Sequence, residues 1–131
     1  MTLSAADREE LHELVIRYAS AVDRREFETI GSLFTPDALL VTPQGERRGR
    51  DEIVAAMRGL SRYRATFHLV GQSRVWEEGT AVVGETYCVA HHFRDGDGAP
   101  SDHVMFIRYL DTFAHNGGWR FARRELDVVA G

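Results

Sequence analysis

With only one cysteine, Cys88, the chain cannot form an internal disulfide, which rules out a disulfide-stapled secreted scaffold. Three prolines and 12 glycines among 131 residues are too few for a collagenous or low-complexity chain. No apolar run reaches membrane-spanning length. The opening MTLSAADREELHEL has no basic segment ahead of an apolar one, so no signal peptide is visible and the cytoplasm is the default location. A basic excess is missing too: 16 Lys and Arg stand against 20 Asp and Glu. The net charge of -4 therefore gives no basis for nucleic acid or an anionic membrane as partner.

What the chain does have is 44% hydrophobic and 27% charged residues, a balance that fits one domain over residues 1–131 with no linker, repeat or second unit. A chain of this length buries roughly two thirds of its unfolded surface and needs no metal to hold a core. Six histidines are the unusual feature.

Ser4 and Asp7 have capping-box spacing, and Leu11, Leu14, Val15, Tyr18, Ala19 and Val22 recur at helical intervals behind them. A shorter helix follows from about Glu26 to Leu33, with Phe27, Ile30, Leu33 and Phe34 as its buried stripe and Pro36 as its stop. Ala38 to Thr42 reads as a strand, Gly45 to Gly49 as a turn, and Asp51 to Leu60 as a third helix. Four long β segments complete the chain: Ala65 to Trp76, Thr80 to Arg94, Asp102 to Phe113 and Trp119 to Val129. Glu78-Gly79 and Asn116-Gly117 are hairpin signals, the second of type I′. Helices followed by antiparallel strands make an α+β domain. Strands this long must curve, so the sheet wraps the helices into a cone with a pocket at its open end. Apolar residues on the other face point to a subunit contact.

Asp23 ends the segment Tyr18-Ala-Ser-Ala-Val-Asp23, one position past Val22, so its carboxylate stands at the rim of the first helix's buried stripe. It also stands where a cap for the second helix belongs, and Tyr18 suits plain core. His68 lies in Ala-Thr-Phe-His-Leu-Val-Gly, where alternation puts it on one face with Thr66, Val70 and Gln72. A lone histidine on a strand is often only structural. If Asp23 accepts a hydrogen bond from one ring nitrogen, however, the other becomes an oriented general base near neutral pH.

A turn at Glu78-Gly79 pairs His68 with about Val89, so Tyr87, Val89 and His91 share its face, and Val104, Phe106 and Arg108 join them across the next loop. His92 and His103 then oppose each other on the outer face. This register assumes strands without bulges. No third ligand accompanies His92 and His103, and their spacing matches no zinc pattern. Asp95-Gly-Asp97-Gly begins like a calcium loop, but Pro100 stands where that loop needs glycine and no Glu follows at its twelfth position. Cys88, between Tyr87 and Val89, reads as a buried hydrophobe. The cluster of Arg47, Arg48 and Arg50 reads as a solvated loop.

Tyr18 through Asp23, Leu33-Phe34-Thr35-Pro36-Asp37-Ala38, Phe67-His68 and Gly118-Trp119-Arg120-Phe121-Ala-Arg-Arg124 together resemble the SnoaL-like branch of the nuclear transport factor 2-like superfamily, over nearly the whole chain. Within it the sequence is most similar to the group of scytalone dehydratase and hexachlorocyclohexane dehydrochlorinase. The resemblance implies a cone-shaped α+β barrel, assembled as a dimer or trimer, that uses no metal or organic cofactor. In that group an Asp on the first helix holds a His on the first long strand, and the His removes a proton from carbon as a leaving group departs; Asp23 and His68 match those positions. An Arg five residues after the Trp of the last strand is matched by Arg124 as anion stabiliser. Alternation instead turns Arg123 inward, and a bulge near Ala122 reconciles the two. Tyr18, Tyr87, Val89, His91, Val104 and Phe106 are then the expected substrate-binding wall, with His91 either a second acid or structural filling. The expected function is a cofactor-independent lyase, dehydratase-like, or isomerase acting on a small apolar cyclic or polyketide-like molecule. From another class, a noncatalytic ligand-binding or assembly domain shares the fold and needs no dyad, because fold alone does not give function.

Overall fold

The computed structural model describes residues 2–131. Helix α1 spans Ala5–Asp23, α2 Phe27–Ser32 and α3 Arg50–Arg58, the last continued by a 3-10 turn over Gly59–Arg62. The strands are β1 Phe34–Thr42, β2 Gly45–Arg48, β3 Ala65–Glu78, β4 Ala81–Asp95, β5 Pro100–His115 and β6 Trp119–Ala130. No helix among the described residues is long and apolar enough to cross a membrane.

The start of α1 is set by reciprocal bonds: the Asp7 N–H donates to Ser4 Oγ and the Ser4 N–H to Asp7 Oδ2, both at 3.0 Å. The stripe from Leu11 to Val22 is buried as the periodicity predicts. Arg25 then takes the left-handed conformation at φ 58, and this lets the chain reverse into α2 directly after Asp23. Two short elements differ from expectation. Pro36 lies inside β1 rather than ahead of it, and the pairing of β1 with β6 is irregular between Phe34 and Leu39, which accommodates its missing N–H. The stretch expected as a turn, Gly45 to Gly49, forms the edge strand β2.

The six strands form one mixed sheet in the order β2-β1-β6-β5-β4-β3, with β1 parallel to β6 and every other pair antiparallel. It is curved but not closed, with β2 and β3 as free edges, so the expected barrel is an open cone. Helix α1 lies in the concavity against β3 and β6. The core centres on Phe34 and Phe121, both fully buried, with the Tyr18 ring edge-on to each of them and to Tyr109.

One irregularity decides what the concavity contains. The β3–β4 hairpin turns at Gly79 and Thr80, with Glu78 opposite Ala81 and Gly79 at φ 64, one residue later than expected. That shift alone would move the partner of His68 from Val89 to His91 and leave the faces unchanged. Between Val70 and Ser73, however, Gly71 and Gln72 together oppose Tyr87, and this bulge brings His68 opposite Ala90. A one-residue slip exchanges faces. The β4–β5 register follows expectation, with His92 opposite His103, so the exchange carries across both strands. Tyr87, Val89, His91, Val104 and Phe106 therefore lie on the outer face, and His92 and His103 on the inner one, the reverse of the expected arrangement.

A second bulge falls where expected. Thr112 pairs with Arg123 and Phe113 with Phe121, leaving Ala122 as the extra residue. The β5–β6 loop is not the expected two-residue type I′ turn, which needs positive φ at both central residues. It is a three-residue loop between His115 and Trp119, and positive φ falls on Gly117 and Gly118 instead of Asn116.

The crowding between β3, β4 and β5 can be checked at Gly84. A Cβ there would lie 2.8 Å from Phe113 Cε2 and 3.0 Å from the Arg74 carbonyl oxygen. Gly84→Ala is expected to cost about 1–3 kcal/mol of stability through overpacking, read as a lower urea midpoint at unchanged slope.

Candidate active site

Helix α1 ends with its last carboxylate against β3. Asp23 Oδ1 lies 2.7 Å from His68 Nδ1, and Asp23 Oδ2 accepts the His68 backbone N–H at 2.8 Å. The Thr66 hydroxyl donates to Oδ1 at 2.9 Å. Thr66 is itself oriented, because Arg25 Nη1 donates to its oxygen at 2.9 Å while the same guanidinium bonds the Val22 and Leu60 carbonyls. With both oxygens engaged, Asp23 can meet only one edge of the imidazole. That bond assigns the proton to Nδ1 and leaves Nε2 as the basic atom.

Burial alone would raise the Asp23 carboxyl, but the bonds from His68 and Thr66 outweigh it and hold the group below its ordinary 3.8. Asp23 is thus ionised near neutral pH. The His68 side chain is 7% exposed and lines a cavity of about 560 Å³. The cavity floor is apolar and buried, made by Tyr18, Val22, Leu40, Ile107 and Tyr109. Met57, Leu60, Met105, Leu126 and Val128 form its walls.

His92, next to His68 on the same face, has its ring centre 6.0 Å from that of His68. Its Nδ1–H donates to the His103 carbonyl at 3.0 Å, which leaves Nε2 bare. Burial lowers its pKa below the ordinary 6.5, so the ring is neutral near neutral pH. The Tyr18 hydroxyl meets Met57 Sδ at 3.9 Å, and burial pushes its pKa up to about 12, so it remains a neutral phenol.

Arg124 turns inward as expected, with no exposed surface, while Arg123 points outward to Glu125 at 2.9 Å. It does not line the cavity. Its Nε and Nη2 donate to the two oxygens of buried Asp111 at 2.8 and 3.2 Å. Its guanidinium carbon lies 3.7 Å from the centre of the Tyr109 ring and 4.3 Å from those of Tyr18 and Phe121. Burial pushes Asp111 up to about 6 against the pull of Arg124. Arg124 was expected to touch an anion in the pocket; the structure places it one layer behind, with the tyrosine rings between.

Of the expected site residues, His68 and Tyr18 line the cavity, and Asp23 stands behind His68, bonded to its ring. Tyr87, Val89, His91, Val104 and Phe106 stand on the other side of the sheet, where His91 Nδ1 pairs with Asp102 at 2.6 Å. Sequence reasoning missed His92, His103, Thr66, Arg25 and Asp111. Inward alternation with Tyr109 and Phe113 was the available signal for Asp111; for the histidines only the bulge would have told. Among the described residues, no group of three or more His, Cys, Asp or Glu is arranged to hold a metal ion.

The sequence profile of the SnoaL-like domain matches residues 4–125. The chain belongs to the SnoaL-like domain family. It is 29% identical over 125 residues to the uncharacterised protein Rv2910c of Mycobacterium tuberculosis, covering 91% of this chain and 83% of that protein. Among solved structures it is similar to a provisionally named scytalone dehydratase from Novosphingobium aromaticivorans, with TM-score 0.83 and 22% identity over 95% of this chain and 85% of that one. A hexachlorocyclohexane dehydrochlorinase, LinA type 2, matches with TM-score 0.82 and 16% identity over 95% of this chain and 86% of that one. At these identities the likeness establishes the fold shared by this SnoaL-like chain, that of nuclear transport factor 2-like proteins.

Two measurements test the site's electrostatics. In an NMR titration the His92 ring proton should show a midpoint below 6.5. Because the folded-state pKa is the lower one, His92 costs stability as pH falls below about 6.5, and His92→Gln should lose less stability than the wild type in that window. Asp111→Ala leaves a buried guanidinium unpaired and should cost about 3–5 kcal/mol, whereas Asp111→Leu combined with Arg124→Met should recover most of it in urea denaturation.

Proposed function

We propose that this SnoaL-like domain is a cofactor-independent lyase of dehydratase type or an isomerase, acting on a small, mostly apolar cyclic or polyketide-like molecule. The observation that carries the reading is the 2.7 Å contact of Asp23 with His68 at the wall of a cavity with a buried apolar floor. His68 Nε2 takes a proton from carbon, and the electrons of that C–H bond form a double bond as the leaving group departs with its own pair. In an isomerisation the same proton returns at another carbon. Asp23 holds the ring and balances the positive charge that His68 gains. A water-poor, apolar surrounding strengthens that electrostatic support.

Arg124 supports the reaction from behind: its charge lies against the rings of Tyr18 and Tyr109, which line the cavity. The sequence contains no lysine, so no lysine amine is available for a Schiff base, and proton transfer by imidazole is the chemistry that the His68 side chain supplies. On the outer face, Phe67, Leu69, Phe106 and Val129 remain about half exposed and support self-association, as a dimer or trimer.

The reading is tested by turnover of a panel of hydroxylated and halogenated cyclic compounds. His68→Ala should lower kcat/KM by about 10²–10⁴-fold, and Asp23→Asn should lower it too and cost some stability, because its amide puts a donor where Asp23 only accepts hydrogen bonds. Activity that survives His68→Ala removes His68 as base; ligand binding without turnover favours a binding domain.

A further inference from the structure

The charge lining the cavity is the opposite of the charge on the chain as a whole. The chain carries 20 Asp and Glu and a net charge of -4, yet among the described residues no Asp or Glu side chain lines the cavity. Two arginines, Arg47 and Arg62, do, together with His68, His92 and His103. Their exposure gives the cavity a direction: Arg62, His103 and Gln44 are exposed and Arg47 is half-buried, so they form the outer end, while Tyr18, Leu40 and Ile107 are buried at the floor.

The three arginines that the sequence groups together have separate fates. Arg50 donates to the Phe34 carbonyl and Arg48 to the Asp37 carbonyl, so both brace β1. Arg47 instead faces the cavity, and its Nη1 reaches only the Glu46 carbonyl beside it. Arg62 reaches the Gly59 carbonyl and the Tyr63 hydroxyl. Among the described residues, neither is paired with a carboxylate, whereas Arg64, Arg74, Arg108, Arg123 and Arg124 all are.

We infer that the ligand of this cavity is a ring compound carrying a carboxylate, whose ring occupies the apolar floor beside His68 and whose carboxylate is held at the mouth by Arg47 and Arg62. This deepens the proposed function, on which it rests for the place of the reacting carbon. The physical grounds are independent of the chemistry. Guanidinium presents a planar pair of donors that matches a carboxylate, and the lack of a protein carboxylate leaves that capacity to the ligand. A mouth of one sign on a net-negative chain also draws an anion in.

The test is binding, read by titration calorimetry with 2-naphthoate and its neutral counterpart methyl 2-naphthoate at about pH 8, where ordinary imidazoles are uncharged. Wild type should bind the acid at least about ten-fold more tightly than the ester, and added salt should narrow the gap. Arg47→Gln combined with Arg62→Gln, both at the solvent end, should abolish the preference and leave ester binding unchanged. His68→Ala should keep the preference, so failure of the catalytic reading and failure of this one are separate results. Equal binding of acid and ester, no binding of the acid, or a preference that survives the double substitution overturns it.

Discussion

The Asp23 carboxylate is the joint on which the site is built. It closes α1, and it accepts three hydrogen bonds from β3: the Thr66 hydroxyl, the His68 backbone N–H and the His68 ring. Even a partly buried carboxylate such as Asp23 is costly unless it is bonded in this way. The three bonds that satisfy it are also those that set the helix against the sheet and the imidazole against the cavity. Fold and chemistry therefore share one group. Arg25 extends the joint: its left-handed backbone turns the chain, and its side chain ties Thr66 to the 3-10 turn after α3.

The joint can form only if His68 faces inward, and the bulge at Gly71 and Gln72 settles which residues of the neighbouring strands do the same. Side chains on a strand alternate strictly, so one extra residue exchanges every partner's face from that point on. Ahead of the bulge, toward His68, the exchange puts Ala90, His92, His103 and Met105 in the concavity and sends Tyr87, Val89 and His91 outside. The cavity thereby gains a second buried imidazole, kept neutral by its burial and oriented by the His103 carbonyl, and, among the described residues, a mouth with no carboxylate side chain.

Beneath the cavity, Asp111 and Arg124 form a buried pair roofed by Tyr18 and Tyr109. The stacking places a fixed cation against the two rings that floor the pocket, so the apolar surface a ligand meets is electrostatically biased from behind. Two layers of charge result: a buried one compensated within the protein and an outer one at Arg47 and Arg62 open to a ligand.

Much of this was legible in the chain itself. Helical spacing from Leu11 to Val22, the Ser4 and Asp7 cap and the long β segments follow from local chemistry and periodicity, which depend only on near neighbours in sequence, whereas alternation alone turned Arg123 inward and Arg124 rested on resemblance and a bulge at Ala122. The match of Asp23 and His68 rested on resemblance, and their contact on packing. What the sequence reading did not decide was the register between β3 and β4: a glycine inside a strand, as at Gly71, marks a place where a bulge fits without showing that one forms there. It was the same for Pro36, which reads as a helix stop but sits in a strand where the β1 pairing lapses. The sequence by itself determined the helices, the four long strands and their order. Only the tertiary structure decided which histidines share a cavity, that Arg124 lies behind it, and that Arg47 lies at its mouth, since side-chain direction on a curved sheet depends on contacts between residues far apart in the chain.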